Sequence, residues 1–291
     1  MIISIENKEL KAKIDSHGAQ LISLSSKEDG TEYIWQRDPE FWEDSAPVLF
    51  PVCGRLTGFR FEYEGREYPM SPHGFLKDSE LVLSGVGDRS VDLTLRSNAE
   101  TKKHYPFNFE VTLSFELFRE TLTVRATVKN TGSSDMPFSY GAHPGFNLPL
   151  DPGRRFEDYY IEFEEGASPS EIEITPDGYR GRKLFDFPLD GNRLRLSHSL
   201  FEKEGRFLKN AGHSVLLACD GGTRSVRMSF PFAETLGFWH AAGTDAPYIC
   251  IEPWLGTPDP DGIPCKIMEK EDVLILPPGG SKTLEYSITV S

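Results

Sequence analysis

The chain has 291 residues, a formal charge of -14, 38% hydrophobic and 26% charged residues. It can therefore bury a core of its own, while its negative field works against nucleic acid, anionic membrane surfaces and long-range steering of anionic substrates. Apolar runs such as 1–5 and 273–276 fall far short of the roughly 20 residues that cross a bilayer, and with no basic-then-apolar leader the expected compartment is the cytoplasm.

The 20 phenylalanines, 26 glycines and 21 prolines suit aromatic packing interrupted by many turns. Alternation of apolar and polar residues begins at Leu10, Ala12 and Ile14, and a short helical connector is expected at 39–43. A hairpin follows, 59–63 returning through Glu64-Gly65 into 66–70. Strand patterns continue through Leu81 and Leu83, then Val91, Leu93 and Leu95, and a second hairpin joins 107–118 to 121–130 across Arg119-Glu120. Beyond a strand at 159–164, the polar stretch 165–182 reads as a loop or excursion, and 200–206 as a second short helical connector. Strands at 215–219, 226–230, 236–240, 248–252, 273–276 and 283–289 complete the pattern. No repeat, low-complexity tract or linker interrupts it, so the expected fold is all-β: a large antiparallel β-sandwich with few short helices, formed as a single domain over 1–291. Cys53, Cys219, Cys250 and Cys265 form neither a CxxC pair nor a small disulfide framework and read as buried reduced thiols.

Three segments depart from plain strand. In the first, Arg55 and His73 stand beside turn residues, in Gly54-Arg55 and Pro72-His73-Gly74. A surface charge and a backbone-capping histidine are the plain readings; an arginine fork and an imidazole on neighbouring loops can instead grip the hydroxyls of a sugar. In the second, Pro144 biases His143 towards extended backbone and Gly145 permits a tight turn, fixing an imidazole at a strand end. With an ordinary pKa near ~6.5 such a histidine serves as a general acid, or else simply bonds backbone at a turn. In the third, Glu252 ends an otherwise apolar strand, a costly place for a carboxylate unless it is ion-paired or is a general base of raised pKa. Trp254 supplies an apolar wall able to stack on a sugar ring, and Trp239 precedes it on a neighbouring strand. His240 reads as a satisfied core or rim histidine, and Asp259 and Asp261 as turn formers, with calcium a minor alternative.

Taken together, Gly54-Arg55, His73-Gly74-Phe75, His143-Pro144-Gly145-Phe146 and Glu252-Pro253-Trp254, preceded by Ala246-Pro247-Tyr248, resemble the aldose 1-epimerase family, and especially its galactose-mutarotase-related, LacX-like branch, in order along nearly the whole chain. The resemblance implies the galactose-mutarotase-like sandwich, with Glu252 as general base on the anomeric hydroxyl and His143 as general acid on the ring oxygen. Arg55, His73, Trp239 and Trp254 would bind the substrate, a hexose. It implies no cofactor and no metal. Where well-studied galactose mutarotases carry an Asn-Arg pair, Gly54 precedes Arg55, and no residue matches their sugar-binding aspartate, the stretch 197–204 being the plausible region.

Three other readings compete. Arg180, Arg182 and Lys183 would form part of the phosphate site of a hexose-6-phosphate mutarotase, or else a solvated loop. The same sandwich can bind carbohydrate without catalysis. His73, His143 and Glu252 are also a two-histidine, one-carboxylate set of metal-ligand types, though without a spacing signature. Small-molecule sugar is the expected partner, and the protein is expected to be a monomer or homodimer.

Overall fold

A computed structural model describes residues 1–202 and 205–291. In Phe109–Phe118 and Thr121–Asn130 every second side chain is buried, as alternation with one wet face requires. The two pair antiparallel with Phe118 opposite Thr121, and the two-residue turn places Arg119 at a φ of 52°.

These strands lie within a nine-stranded sheet that runs from Arg193–Arg195 at one edge to Val82–Val86 at the other. An eight-stranded sheet begins at Arg180–Asp186 and passes through Ser170–Ile174, Arg206–Lys209, Thr235–Trp239 and Tyr248–Leu255 to Tyr140–Ala142 and Val48–Leu49, with Gly145–Asn147 also on Tyr248–Leu255. Leu113, Val124 and Ile288 of the first sheet share an apolar cluster with Leu236, Ile249 and Ile251 of the second. Ring contacts such as Phe163 to Phe238 at 6.0 Å and Phe50 to Phe109 at 5.3 Å bridge the layers. This is the antiparallel β-sandwich the alternation predicts. Smaller sheets flank it: Ile2–Glu6, Leu10–Asp15 and Gln20–Ser26 at the N-terminal end, and the hairpin Arg60–Tyr63 with Arg66–Pro69. Among the described residues helix is confined to Thr101–His104 and short 3₁₀ turns, and none of it is long and apolar enough to cross a membrane. All four cysteines are free and buried.

Three local expectations are corrected. The stretch 165–182 is not a plain loop: it contains Ser170–Ile174 and the start of Arg180–Asp186, which form an edge hairpin of the eight-stranded sheet. Only Ile172 of these strands is fully buried, so the alternation that marks a half-buried strand is faint there. Residues 39–43 form turns rather than a helix. In 200–206 the 3₁₀ turn His198–Phe201 ends before strand Arg206–Lys209 begins; 203 and 204 lie outside the described residues.

Ile251 lies at the centre of the shared core with no exposure. Ile251→Ala is expected to lower unfolding stability by ~2–5 kcal/mol, measured by chemical denaturation. A loss below ~1 kcal/mol would contradict a tightly packed interface between the two sheets.

Candidate active site

Strand Tyr248–Leu255 is buried along its entire length because it packs on both faces. Ile249 and Ile251 face the main core, while Tyr248, Cys250 and Trp254 face the other side, and alternation puts Glu252 with them. Two short strands, Tyr140–Ala142 and Gly145–Asn147, pair with the same edge of this strand, Gly141 opposite Trp254 and Gly145 opposite Cys250. That register sets His143 directly across from Glu252. Pro144 has no N–H for the ladder and holds His143 extended, and its carbonyl accepts from the Ile251 N–H at 3.1 Å. On the other edge Gly237 lies opposite Glu252, where a Cβ would come within 2.9 Å of the Phe207 ring and 3.1 Å of the Glu252 Cβ.

His143 Nε2 stands 3.1 Å from Glu252 Oε2. The contact lacks the alignment of a hydrogen bond, for among the described residues neither oxygen of Glu252 nor Nδ1 of His143 has a hydrogen-bond partner. Burial pushes the Glu252 carboxyl well above the usual carboxylate range. It also pushes the His143 imidazole down to about 3, aided by the nearby His73. Both effects favour the uncharged forms, a carboxylic acid beside a neutral imidazole.

His73 is held by backbone on every side. Its N–H donates to the Gly54 carbonyl at 2.9 Å, its carbonyl accepts from the Phe50 N–H at 3.2 Å, and its Nδ1 accepts from the Gly54 N–H at 3.2 Å. The neutral ring therefore carries its proton on Nε2 and stays a donor. Burial lowers its pKa to about 4, with Lys77 and Arg55 adding to the shift. Residues 73 and 74 both have positive φ, and a Cβ on Gly74 would meet the Phe50 carbonyl oxygen at 2.0 Å, so the turn requires glycine there.

Arg55 spans from its loop to the edge hairpin, where its guanidinium donates to the Asp177 carbonyl and lies 5.4 Å from the Phe59 ring centre and 6.0 Å from that of Tyr179. Asp259 holds the loop's backbone. Its N–H donates to the Arg55 carbonyl at 2.9 Å, its Oδ2 accepts from the Thr57 N–H at 2.8 Å, and its carbonyl accepts from the Arg180 N–H at 2.9 Å. Lys270 Nζ pairs with Asp259 Oδ1 at 3.1 Å, both side chains almost fully buried. The sequence reading of Asp259 as a turn former is thus corrected: it is half of a buried ion pair that joins the Arg55 loop to the edge hairpin. Asp261, which is exposed, matches the turn reading.

His143, Glu252, His73, Arg55, Trp239 and Trp254 all line one cleft of about 320 Å³. Trp239 meets His143 edge to face at 5.6 Å. Trp254 is 1% exposed, with its ring 4.8 Å from Phe207 and 5.4 Å from His73, so it offers an edge to the cleft rather than a free face. Lining residues that escaped the sequence reading include Trp42, 5.2 Å from His143, Phe207, Lys77 and Asp44. Of these, Trp42 left a signal, standing with Phe41 as an aromatic pair in a turn otherwise rich in charged residues. His240 is the satisfied histidine expected, with Nδ1 donating to the Ala241 carbonyl at 2.9 Å and Nε2 accepting from His198 at 3.2 Å. Arg180 pairs with Glu271, and Arg182 and Lys183 are exposed on the edge strand, so the basic cluster lies outside the cleft.

The fold and cleft thus define a β-sandwich protein with a carboxyl and an imidazole facing one another on the floor of an aromatic-walled pocket. The family model for aldose 1-epimerase matches residues 1–288, and the chain belongs to that family. Its relatives include protein LacX (plasmid) of Lactococcus lactis subsp. lactis, 33% identical over 269 residues, which cover 88% of each chain. A galactose mutarotase-like protein from Lactobacillus casei shares 33% identity and superposes with a TM-score of 0.95 over 100% of both chains. A galactose mutarotase related enzyme from Lactobacillus acidophilus shares 31% identity with a TM-score of 0.93, covering 100% of this chain and 97% of its own.

Two outcomes follow from the site's burial. Since the folded state raises the Glu252 pKa, folding must take up a proton wherever the unfolded carboxyl is ionised, and stability falls as pH rises above the ordinary carboxylate range of ~4.3. Glu252→Gln is therefore expected to melt higher than the native chain at neutral pH, with the gain vanishing below that range; an equal or lower melting temperature at neutral pH would contradict the account. Asp259→Ala leaves the Lys270 charge buried and is expected to cost ~3–5 kcal/mol in chemical denaturation, whereas a cost under ~1 kcal/mol would place that charge in solvent.

Proposed function

We propose that this protein is a cofactor-free aldose 1-epimerase that interconverts the α and β anomers of a hexose. The observation that carries the reading is the 3.1 Å approach of His143 and Glu252 across two adjacent strands on the cleft floor. Glu252 takes the proton of the anomeric hydroxyl while His143 protonates the ring oxygen, and the ring opens to the aldehyde. Rotation about the bond between the first two carbons presents the other carbonyl face. In closure the roles reverse: neutral His143 accepts the proton of the ring-oxygen hydroxyl, and protonated Glu252 returns one to the carbonyl oxygen. The pair carries one proton in total throughout. Its uncharged arrangement, favoured by burial, is the form from which closure starts, and return of the proton from Glu252 to His143 restores the form that opens the ring.

His73 Nε2–H and the Arg55 guanidinium are the substrate's hydrogen-bond donors, and Trp239 and Trp254 its apolar wall, with Trp42 facing His143. A neutral sugar suits this cleft, because Arg180, Arg182 and Lys183, the candidate phosphate cluster, lie outside it. The cations that line it, among the described residues, are Arg55 and Lys77, the latter held by Asp78 at 2.8 Å. Against simple binding stands the unpartnered carboxyl, since a pocket that only held sugar would gain nothing from that cost. The reading includes a cytoplasmic protein, monomer or homodimer, whose residues 1–291 form one domain, in keeping with an apolar cluster that runs from Ile5 to Val290.

Polarimetry of freshly dissolved α-anomers tests this. Faster equilibration is expected with a neutral hexose such as glucose or galactose rather than glucose 6-phosphate, and no acceleration of any hexose would overturn it. Glu252→Gln and His143→Ala should each lower turnover by about 10²–10⁴-fold with the fold retained, and near-native turnover in either would remove that residue's role. The pH profile should be broad. Activity falls towards acid as pH approaches about 3, where His143 gains a second proton for the pair. It falls towards alkali only well above the usual carboxylate range, where the pair loses its last proton through Glu252. A steep loss of activity centred on the ordinary carboxylate range would contradict this assignment.

A further inference from the structure

Cys250 stands beside the Glu252–His143 pair and takes no part in the chemistry above. It lies two residues before Glu252 on the same strand face, and the cross-strand register brings His143 to both. Ligand atoms of His143, Cys250 and Glu252 lie within 4.8 Å of one another, and all three residues are buried. Glu252 is 1% exposed, and its two oxygens and the His143 Nδ1 have no hydrogen-bond partner among the described residues. His73, the third member of the ligand set considered from sequence, is not part of this cluster; Cys250 takes its place.

We propose that His143, Cys250 and Glu252 form an inhibitory site for zinc or a similarly thiophilic divalent cation. Thiolate, imidazole and carboxylate together suit such ions, whereas magnesium and calcium prefer all-oxygen sites. The 3.1 Å between His143 Nε2 and Glu252 Oε2 is already close to the ~3.3 Å edge of a tetrahedron with bonds of ~2.0 Å, and rotation of the thiol closes the third position. On binding, the Cys250 thiol and the Glu252 carboxyl each release a proton to solvent, neutral His143 donates a lone pair, and nothing is oxidised or reduced. The fourth position faces the cleft and takes water. A bound ion occupies the lone pairs that move the sugar's protons, so turnover stops. Inhibition rests on the epimerase reading; binding does not.

Cobalt(II) reports binding without any assay of activity. Chelator-treated protein titrated with cobalt is expected to take up one ion per chain, with a near-ultraviolet thiolate-to-cobalt charge-transfer band. That band should disappear in Cys250→Ser and Cys250→Ala and persist in Cys53→Ser, whose parent thiol is buried but is not among the clustered ligands. Zinc should displace the cobalt from the native chain and bind at least about tenfold more weakly to the Cys250 variants. In parallel polarimetry, zinc should inhibit the native chain and act at least about tenfold more weakly on the Cys250 variants, whose activity without zinc matches the native rate. Absence of the band from the native chain, or an undiminished band in folded Cys250 variants, would overturn the site. A band that depends on Cys250, with zinc leaving anomer exchange unaffected, would overturn the inhibitory role. If no hexose is turned over, the cobalt titration alone decides the site and the failure belongs to the epimerase reading.

Discussion

The constraint on which the site depends is the burial, side by side, of a carboxyl and an imidazole whose Glu252 oxygens and His143 Nδ1 find no hydrogen-bond partner among the described residues. A polar group removed from water costs free energy unless something replaces its solvent contacts, and here two are removed side by side. The scaffold bears that cost through the main core, since the strand that carries Glu252 also presents Ile249 and Ile251 to it. Low dielectric around the pair then does chemical work: it reverses the usual order of proton affinity, so the shared proton rests on the carboxyl beside a neutral imidazole, the form from which ring closure starts.

Around this floor the structure fixes its donors through backbone. Register alone sets His143 opposite Glu252, and Pro144 interrupts the ladder at that point. His73 is clamped between the Phe50 and Gly54 backbones. The Arg55 loop is tied down by Asp259, itself neutralised by Lys270. Elements distant in sequence therefore converge with little freedom left in their main chains, as a site needs if it is to hold a substrate in a reactive geometry. Trp42, Trp239 and Phe207 complete the walls, and Phe207 covers the face of Trp254.

Much of this was legible in the sequence. Period-two alternation identified the long strands because each has one wet face, as in Phe109–Phe118. His143 and Glu252 stood out because proline beside histidine and a carboxylate in an apolar run are both locally unusual. Other features left no such mark. The edge hairpin at 170–186 buries too little to alternate. Asp259 sits in a proline- and glycine-rich stretch that suggests a turn, and only its distant partner Lys270 reveals an ion pair. Lys77 and Phe207 line the cleft by virtue of tertiary placement, and the approach of Cys250 to His143 follows from cross-strand register, which a single strand pattern cannot specify.

The most direct test of the buried pair is a pH titration followed by carbon-13 NMR of labelled glutamate carboxyls, with Glu252 assigned by comparison with Glu252→Gln. The Glu252 carboxyl is expected to remain protonated at pH values where the exposed glutamates are fully ionised. Ionisation of Glu252 together with those exposed carboxyls, in the ordinary range near ~4.3, would contradict it.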